Sequence, residues 1–235
     1  MNTVKDILQK APPRKPFFDS AQYNQPMRPD RVKLDSLDAS VHPKVDLAIK
    51  AARQWWALRK EQKSNRELVT ASLLLVATPQ NDIVTGKGAG KSHIAKACLW
   101  TDFLAVNGKP VSPSGRFFSA EWLIEIMHNE RKRFSDFTQV EAGSIVVIDD
   151  IGTEKKLEYV SAADQEEQIN NLYFQIFEYA INAGISIIAT SNLSIDGVAK
   201  RIGQRAFSRF MQMAPQGLMV DMTGVPDYRR KDSGR

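Results

Sequence analysis

The run Thr85-Gly86-Lys87-Gly88-Ala89-Gly90-Lys91-Ser92 limits what this chain can fold into more than any other stretch of it. Ile83–Val84 before it reads as a short strand, and Ser92 to Val106 reads as a helix. Glycines between a strand and a helix let successive backbone N–H groups curl toward one anion, and the helix N-terminus adds the positive end of its dipole. Such a turn suits the phosphates of a nucleotide. Lys91 is then placed to reach the β- and γ-phosphates, and the Ser92 hydroxyl to ligate Mg²⁺. Positions 85–93, His93 included, are the expected nucleotide-binding residues, with His93 itself reading as packing rather than chemistry. The strict pattern has glycine six positions before the lysine, where this chain has Thr85. A glycine-rich turn that merely precedes a helix is the plainer alternative, and the strand–loop–helix order weighs against it.

The rest of the chain alternates in the same way. Pro43 to Lys63 carries apolar residues at helical spacing, with Trp55 and Trp56 expected in the core. Leu68 to Ala77 fits either helix or strand. Arg116–Phe118 is expected as a strand, Glu121 to Arg133 as a helix, and Ser144–Ile148 as a strand buried on both faces. Glu166 to Ala183 then reads as helix, Ile185–Thr190 as a second buried strand, Ile195 to Met211 as mostly helix, and Leu218–Met222 as a last strand. Strands alternating with helices predict an α/β fold with a parallel sheet between helical layers.

Composition narrows the setting. With 235 residues, 43% apolar and 25% charged, the chain has the balance of a globular protein. Its longest apolar stretch, Ala71 to Ala77, is too short to span a bilayer. Met1 to Lys15 holds charges and prolines where a signal peptide needs an apolar run. A single cysteine, Cys98, excludes an internal disulfide, and His42, His93 and His128 are too scattered for a metal site. The expected location is the cytoplasm. Residues 1–34, with Pro12, Pro13, Pro16, Pro26 and Pro29 among Phe17, Phe18 and Tyr23, read as a tail, and 35–235 as one domain. The tail is either a disordered leader or a segment that docks on a partner.

Two further groups of residues fit the phosphate loop. Ser144–Ile148 runs into Asp149 and Asp150, and carboxylates at the C-terminal edge of a parallel sheet lie where ligands bind. Asp149 is placed to hold Mg²⁺, and Asp150 to orient or deprotonate an attacking water. The strand Ile185–Thr190 runs into Ser191-Asn192, whose amide suits the water or the γ-phosphate. Arg201, Arg205 and Arg209 recur every four residues, which puts them on one face of a single helix. Either that face is solvated, or one of its arginines enters a neighbouring subunit's site.

These residues resemble the AAA+ ATPases of the DnaC/DnaI helicase-loader and IstB transposition-helper group. The resemblance runs over residues 31–230 and is most specific at Asp149-Asp150-Ile151-Gly152-Thr153-Glu154, at Thr190-Ser191-Asn192-Leu193, and at Gly203-Gln204-Arg205-Ala206-Phe207-Ser208-Arg209. It implies a P-loop fold with a central parallel five-stranded sheet, and the 43 residues after Asn192 are too few for the C-terminal helical lid domain that many AAA+ proteins carry. Arg209 is the first candidate for an arginine finger acting in trans, and Arg205 the second. Asp227-Tyr228-Arg229 resembles the family's sensor-two arginine, so Arg229 is expected at the nucleotide in cis.

The function implied is ATP-dependent loading of a replicative DNA helicase. The enzyme would be a Mg²⁺-dependent ATPase, slow or stimulated by a partner because Asp150 stands where many relatives have Glu. Homo-oligomerisation, helicase docking through the tail and a single-stranded DNA contact go with it. Arg131-Lys132-Arg133-Phe134 is the candidate DNA contact, pairing cations with an aromatic ring; a solvated helix end is the plainer alternative. An IstB-like transposition helper that remodels target DNA, and a nucleotide-gated adaptor with little hydrolysis, are the other two functions the residues allow. The net charge of +5 does not choose among them: residues 101–180 carry 7 basic and 14 acidic groups, and residues 181–235 carry 8 and 4.

Overall fold

The computed structural model describes residues 33–79, 88–101, 105–106, 109–110, 115–135, 140, 142–157, 159–161, 163–214 and 218–227. Its elements in chain order are α1 (Pro43–Ser64), β1 (Ser72–Val76), α2 (Lys91–Thr101), β2 (Ala105–Val106), β3 (Lys109–Pro110), β4 (Gly115–Ser119) and α3 (Ala120–Asn129). There follow β5 (Ile145–Ile151), α4 (Gln165–Ala183), β6 (Ser186–Ser191), α5 (Ile195–Ile202), α6 (Gln204–Met213) and β7 (Met219–Asp221). Two single 3-10 turns, Leu34–Ser36 and Ala39–Val41, precede α1.

The sheet has five strands in the order β4-β5-β6-β1-β7, and every pairing is parallel. This is the expected α/β architecture. Within Leu68 to Ala77, Ser72–Val76 forms strand β1, buried along its whole length between β6 and β7. Both faces of an inner parallel strand are covered by helices, so a continuous apolar run suits it better than alternation does. Ile83–Val84, the strand expected just before the loop, lies outside the described residues.

Two helical layers cover the sheet. On one face α1 and α2 pack on Leu73, Leu75, Ile145, Val147, Ile188 and Val220. Residues two apart share a face of a strand, so Leu74 and Val76 turn to the opposite layer, where α3, α4 and α6 lie. Rings pack through that layer: Tyr173 stacks on Phe177 at 6.0 Å, and Phe177 meets Phe210 edge-on at 5.3 Å.

Helix α1 starts where Pro43 fixes φ at its first position and the His42 imidazole accepts the Lys44 N–H. Trp55 and Trp56 are core residues, as their spacing predicts, and the Trp55 indole N–H donates to the Ala71 carbonyl at 2.9 Å. Arg59 lies over both indole rings and donates to Ser186 Oγ, tying α1 to the start of β6. Leu34, the last residue of the expected tail, is buried, and its N–H donates to Thr101 at the end of α2. No helix of the described residues is long and apolar enough to cross a membrane.

Candidate nucleotide-binding site

The site forms where β5, β6 and α2 meet at the C-terminal edge of the sheet. Gly88 and Gly90 have φ of 84° and 90°, a region closed to most L-residues, and α2 begins directly after them. That conformation turns the chain sharply into the helix. The Ile94 N–H closes the first turn on the Gly90 carbonyl at 2.9 Å. Thr85, Gly86 and Lys87, the front of the expected phosphate loop, lie outside the described residues.

Lys91 and Ser92 reach two different partners. The Lys91 side chain is 5% exposed, and its ammonium donates to Asn192 Oδ1 at 2.9 Å. The Ser92 hydroxyl donates to Asp149 Oδ1 at 2.7 Å. Asn192 in turn donates through Nδ2 to Asp150 Oδ1 at 2.9 Å. The loop, the carboxylate pair and the terminal amide, separated by up to 101 residues in the chain, thus form one hydrogen-bonded cluster. A hydroxyl beside a carboxylate oxygen is the donor set a hard cation such as Mg²⁺ takes, and a near-buried ammonium at a helix start suits phosphate. The residues present therefore fit Mg²⁺ and a nucleotide.

A β-bulge sets the carboxylates. Ile148 pairs with Ala189 and Ile151 with Ser191, so Asp149 and Asp150 together oppose Thr190 alone. Asp150 takes φ of 62°, strained for a non-glycine residue. Thr190 resolves the mismatch. Its hydroxyl donates to Asp149 Oδ1 at 2.6 Å and accepts the Asp150 N–H at 2.9 Å. The Ser191 hydroxyl donates to the Ile151 carbonyl at 2.6 Å and closes the bulge on its far side. Thr190 was not among the expected site residues, although the Thr190-Ser191-Asn192-Leu193 stretch carries part of the resemblance.

No family model matches the chain, and no curated protein matches it in sequence. Solved structures do match. The crystal structure of the DnaC helicase loader is 21% identical, with a TM-score of 0.51 over 82% of this chain and 96% of that one. The crystal structure of DnaI is 16% identical, with a TM-score of 0.51 over 84% of this chain and 90% of that one. The chain shares the fold of these two structures, an α/β fold with a parallel five-stranded sheet between helical layers, as expected.

Within this fold the three arginines separate. Gly203, at φ 83° and ψ 148°, breaks the helix between Arg201 and Arg205, which corrects the expectation of a single stripe. Arg201 belongs to α5 and pairs with Glu154 at 2.7 Å. Arg205 and Arg209 share one turn of α6. Arg205 lies over the Phe174 ring at 4.4 Å. Arg209 pairs with Glu178 at 2.7 Å and donates to Gln212 at 3.2 Å. Arg229 lies outside the described residues.

The expected DNA segment is only partly exposed. Helix α3 ends at Asn129, four residues before its expected end, and Arg131 takes φ of 49°. Arg131, Lys132 and Arg133 are exposed and line a cleft of about 390 Å³ with Gln168, Leu172 and Gln175 of α4. Phe134 is 2% exposed and packs edge-on against Tyr179, so it is core and offers no ring to a base, contrary to expectation. Tyr159 does stand fully in solvent, on the chain between β5 and α4, with Lys155 and Lys156 just before it.

Two further titratable groups lie on α2. His93 is exposed, and desolvation, followed by Lys96, lowers its pKa from the usual imidazole value. Burial pushes the Cys98 thiol up to about 12, which leaves it protonated and unreactive.

Proposed function

We propose that this chain is an ATP-dependent loader of a replicative DNA helicase, hydrolysing ATP between adjacent copies of itself. The observation that carries the ATPase part is the cluster in which Ser92 and Thr190 meet on Asp149 while Lys91 and Asp150 meet on Asn192. The loader part is supported by the match to nearly the whole of a DnaC helicase loader.

Each residue has a separable task. Lys91 exchanges the Asn192 oxygen for phosphate oxygens. Ser92 and Asp149 would hold Mg²⁺, which supplies charge neutralisation at the phosphates. Asp150, oriented by Asn192, accepts the proton of the attacking water, and Asn192 keeps that water in line. The left-handed backbone at Asp150 and the shared Thr190 hydroxyl fix both carboxylates before substrate arrives, and such preorganisation is a main source of catalysis. Arg209, with Arg205 second, serves the site of the next subunit. A finger arginine commonly contributes ~10³–10⁵ in rate.

Residues 1–34 would dock the helicase, leaving 35–235 as the ATPase domain. For single-stranded DNA, Arg131, Lys132 and Arg133 would neutralise phosphates. ATP turnover measured with and without single-stranded DNA and the cell's replicative helicase tests this function. Stimulation that Arg209→Ala abolishes while ATP binding persists is the expected result. Turnover that ignores both partners, or survives Arg209→Ala, contradicts it.

A further inference from the structure

One buried carboxylate joins three parts of the fold: the chain leaving β5, helix α4 and helix α5. The chain leaving β5 curls back on itself: the Thr153 N–H and hydroxyl both donate to the Asp150 carbonyl, at 3.2 and 2.8 Å. Gly152, at φ 106°, lies so close to the sensor turn that a Cβ on it would come 2.8 Å from Leu193 Cδ1. Glu154 then turns inward, with its side chain wholly buried. Its two oxygens accept the Gly152 N–H at 3.0 and 3.2 Å. The Tyr173 hydroxyl of α4 donates to Oε1. Arg201 of α5 donates to Oε2 at 2.7 Å and, through Nη2, to the Glu154 carbonyl at 3.2 Å.

A carboxylate taken wholly out of water is costly unless paired and hydrogen-bonded, and an apolar side chain would fill such a space at less cost. The position of Arg201 indicates what the pair is for. Two residues after it, Gly203 makes the elbow between α5 and α6. A Cβ at Gly203 would come 2.8 Å from Asn170 Cγ, so the elbow sits directly on α4. Tyr173 and Asn170 are one turn apart on that helix. The elbow is therefore held from both sides, through Glu154 and through α4, and the helix that leaves it carries Arg205 and Arg209.

We infer that Glu154 and Arg201 are positioning residues that set the direction of α6, and with it the trans arginines, relative to the Asp149–Asp150 end of β5. This rests on the reading that Arg209 serves a neighbouring subunit. Arg209 lies six residues beyond the elbow, so a tilt of about 10° there moves its backbone by roughly 1.5 Å. A misplacement of about 1 Å can cost ~10²-fold in rate.

Mixed assemblies separate this role from damage to the subunit's own site. Arg201→Lys keeps a cation beside Glu154 but loses the two-point guanidinium grip. Glu154→Gln keeps the shape and loses the charge. Each variant should bind ATP within about twofold of the parent, yet hydrolyse it roughly 10²-fold more slowly when assembled. Lys91→Ala is a failed nucleotide site with sound arginines, and Arg209→Ala is the reverse, so mixing those two should restore turnover.

The positioning variants should behave like Arg209→Ala: rescued by Lys91→Ala subunits, not by Arg209→Ala subunits. Rescue by Arg209→Ala but not by Lys91→Ala would place the defect in the subunit's own site and overturn the inference. A failure of the Lys91→Ala and Arg209→Ala mixture itself would remove the trans arginines, and this role with them.

Discussion

Thr190 does the work of two residues. One hydroxyl donates to Asp149 and accepts from the Asp150 backbone, so it sets both carboxylates at once. Groups that orient a metal-binding carboxylate typically matter by about 10–100-fold in affinity or activity. Thr190→Val keeps the shape and removes the hydroxyl. Turnover and the Mg²⁺ dependence of nucleotide binding should both fall by roughly that factor, and Thr190→Ser should restore them. Equal behaviour of the Val and Ser variants would deny Thr190 this part. The residues around it were legible in the sequence because each follows a local rule: Lys91 and Ser92 close a glycine loop, and Asp149, Asp150 and Asn192 end apolar strands. Thr190 and Glu154 follow no local rule. Their partners lie on other elements, and the bulge that makes Thr190 necessary exists only once β5 pairs with β6.

The elements obey sequence periodicity except where one glycine interrupts it. Spacings of four from Arg201 to Arg209 read as a single helix, but Gly203 ends α5 and begins α6. Its φ of 83° with ψ of 148° is a conformation essentially restricted to glycine. Gly203→Ala should therefore destabilise the fold by about 2 kcal/mol. Thermal unfolding would register this as a lower Tm, and an unchanged Tm would show that the elbow tolerates a side chain. The same break separates Arg201, half-buried against Glu154, from Arg205 and Arg209. Ambiguity at Leu68 to Ala77 had a different cause: a short apolar run lacks periodicity, and only its neighbours β6 and β7 make it a strand. Helix α3 was expected to continue through Arg133, and its end at Asn129 leaves the three cations on irregular chain beside α4.

At the scale of the molecule, charge is sorted by task. The acidic middle of the chain contains the carboxylates of β5 and the buried Glu154, while Arg205 and Arg209 face outward on α6. A polyanion partner accounts for only part of that pattern. The proposed DNA contact rests on Arg131, Lys132 and Arg133, and each cation that meets a single strand contributes about 0.7 to the slope of log affinity against log salt. Neutralising all three should flatten the slope by roughly 2. An unchanged slope would move the contact elsewhere. The central claim is that ATP use by this fold places a helicase on DNA. Its most direct test is loading of the cell's replicative helicase onto a closed circular single strand, scored as bound helicase with the parent protein and with Lys91→Ala. Loading that needs both the protein and ATP, and that Lys91→Ala abolishes, is the predicted result; loading that is absent with the parent, or as efficient with Lys91→Ala, would contradict it.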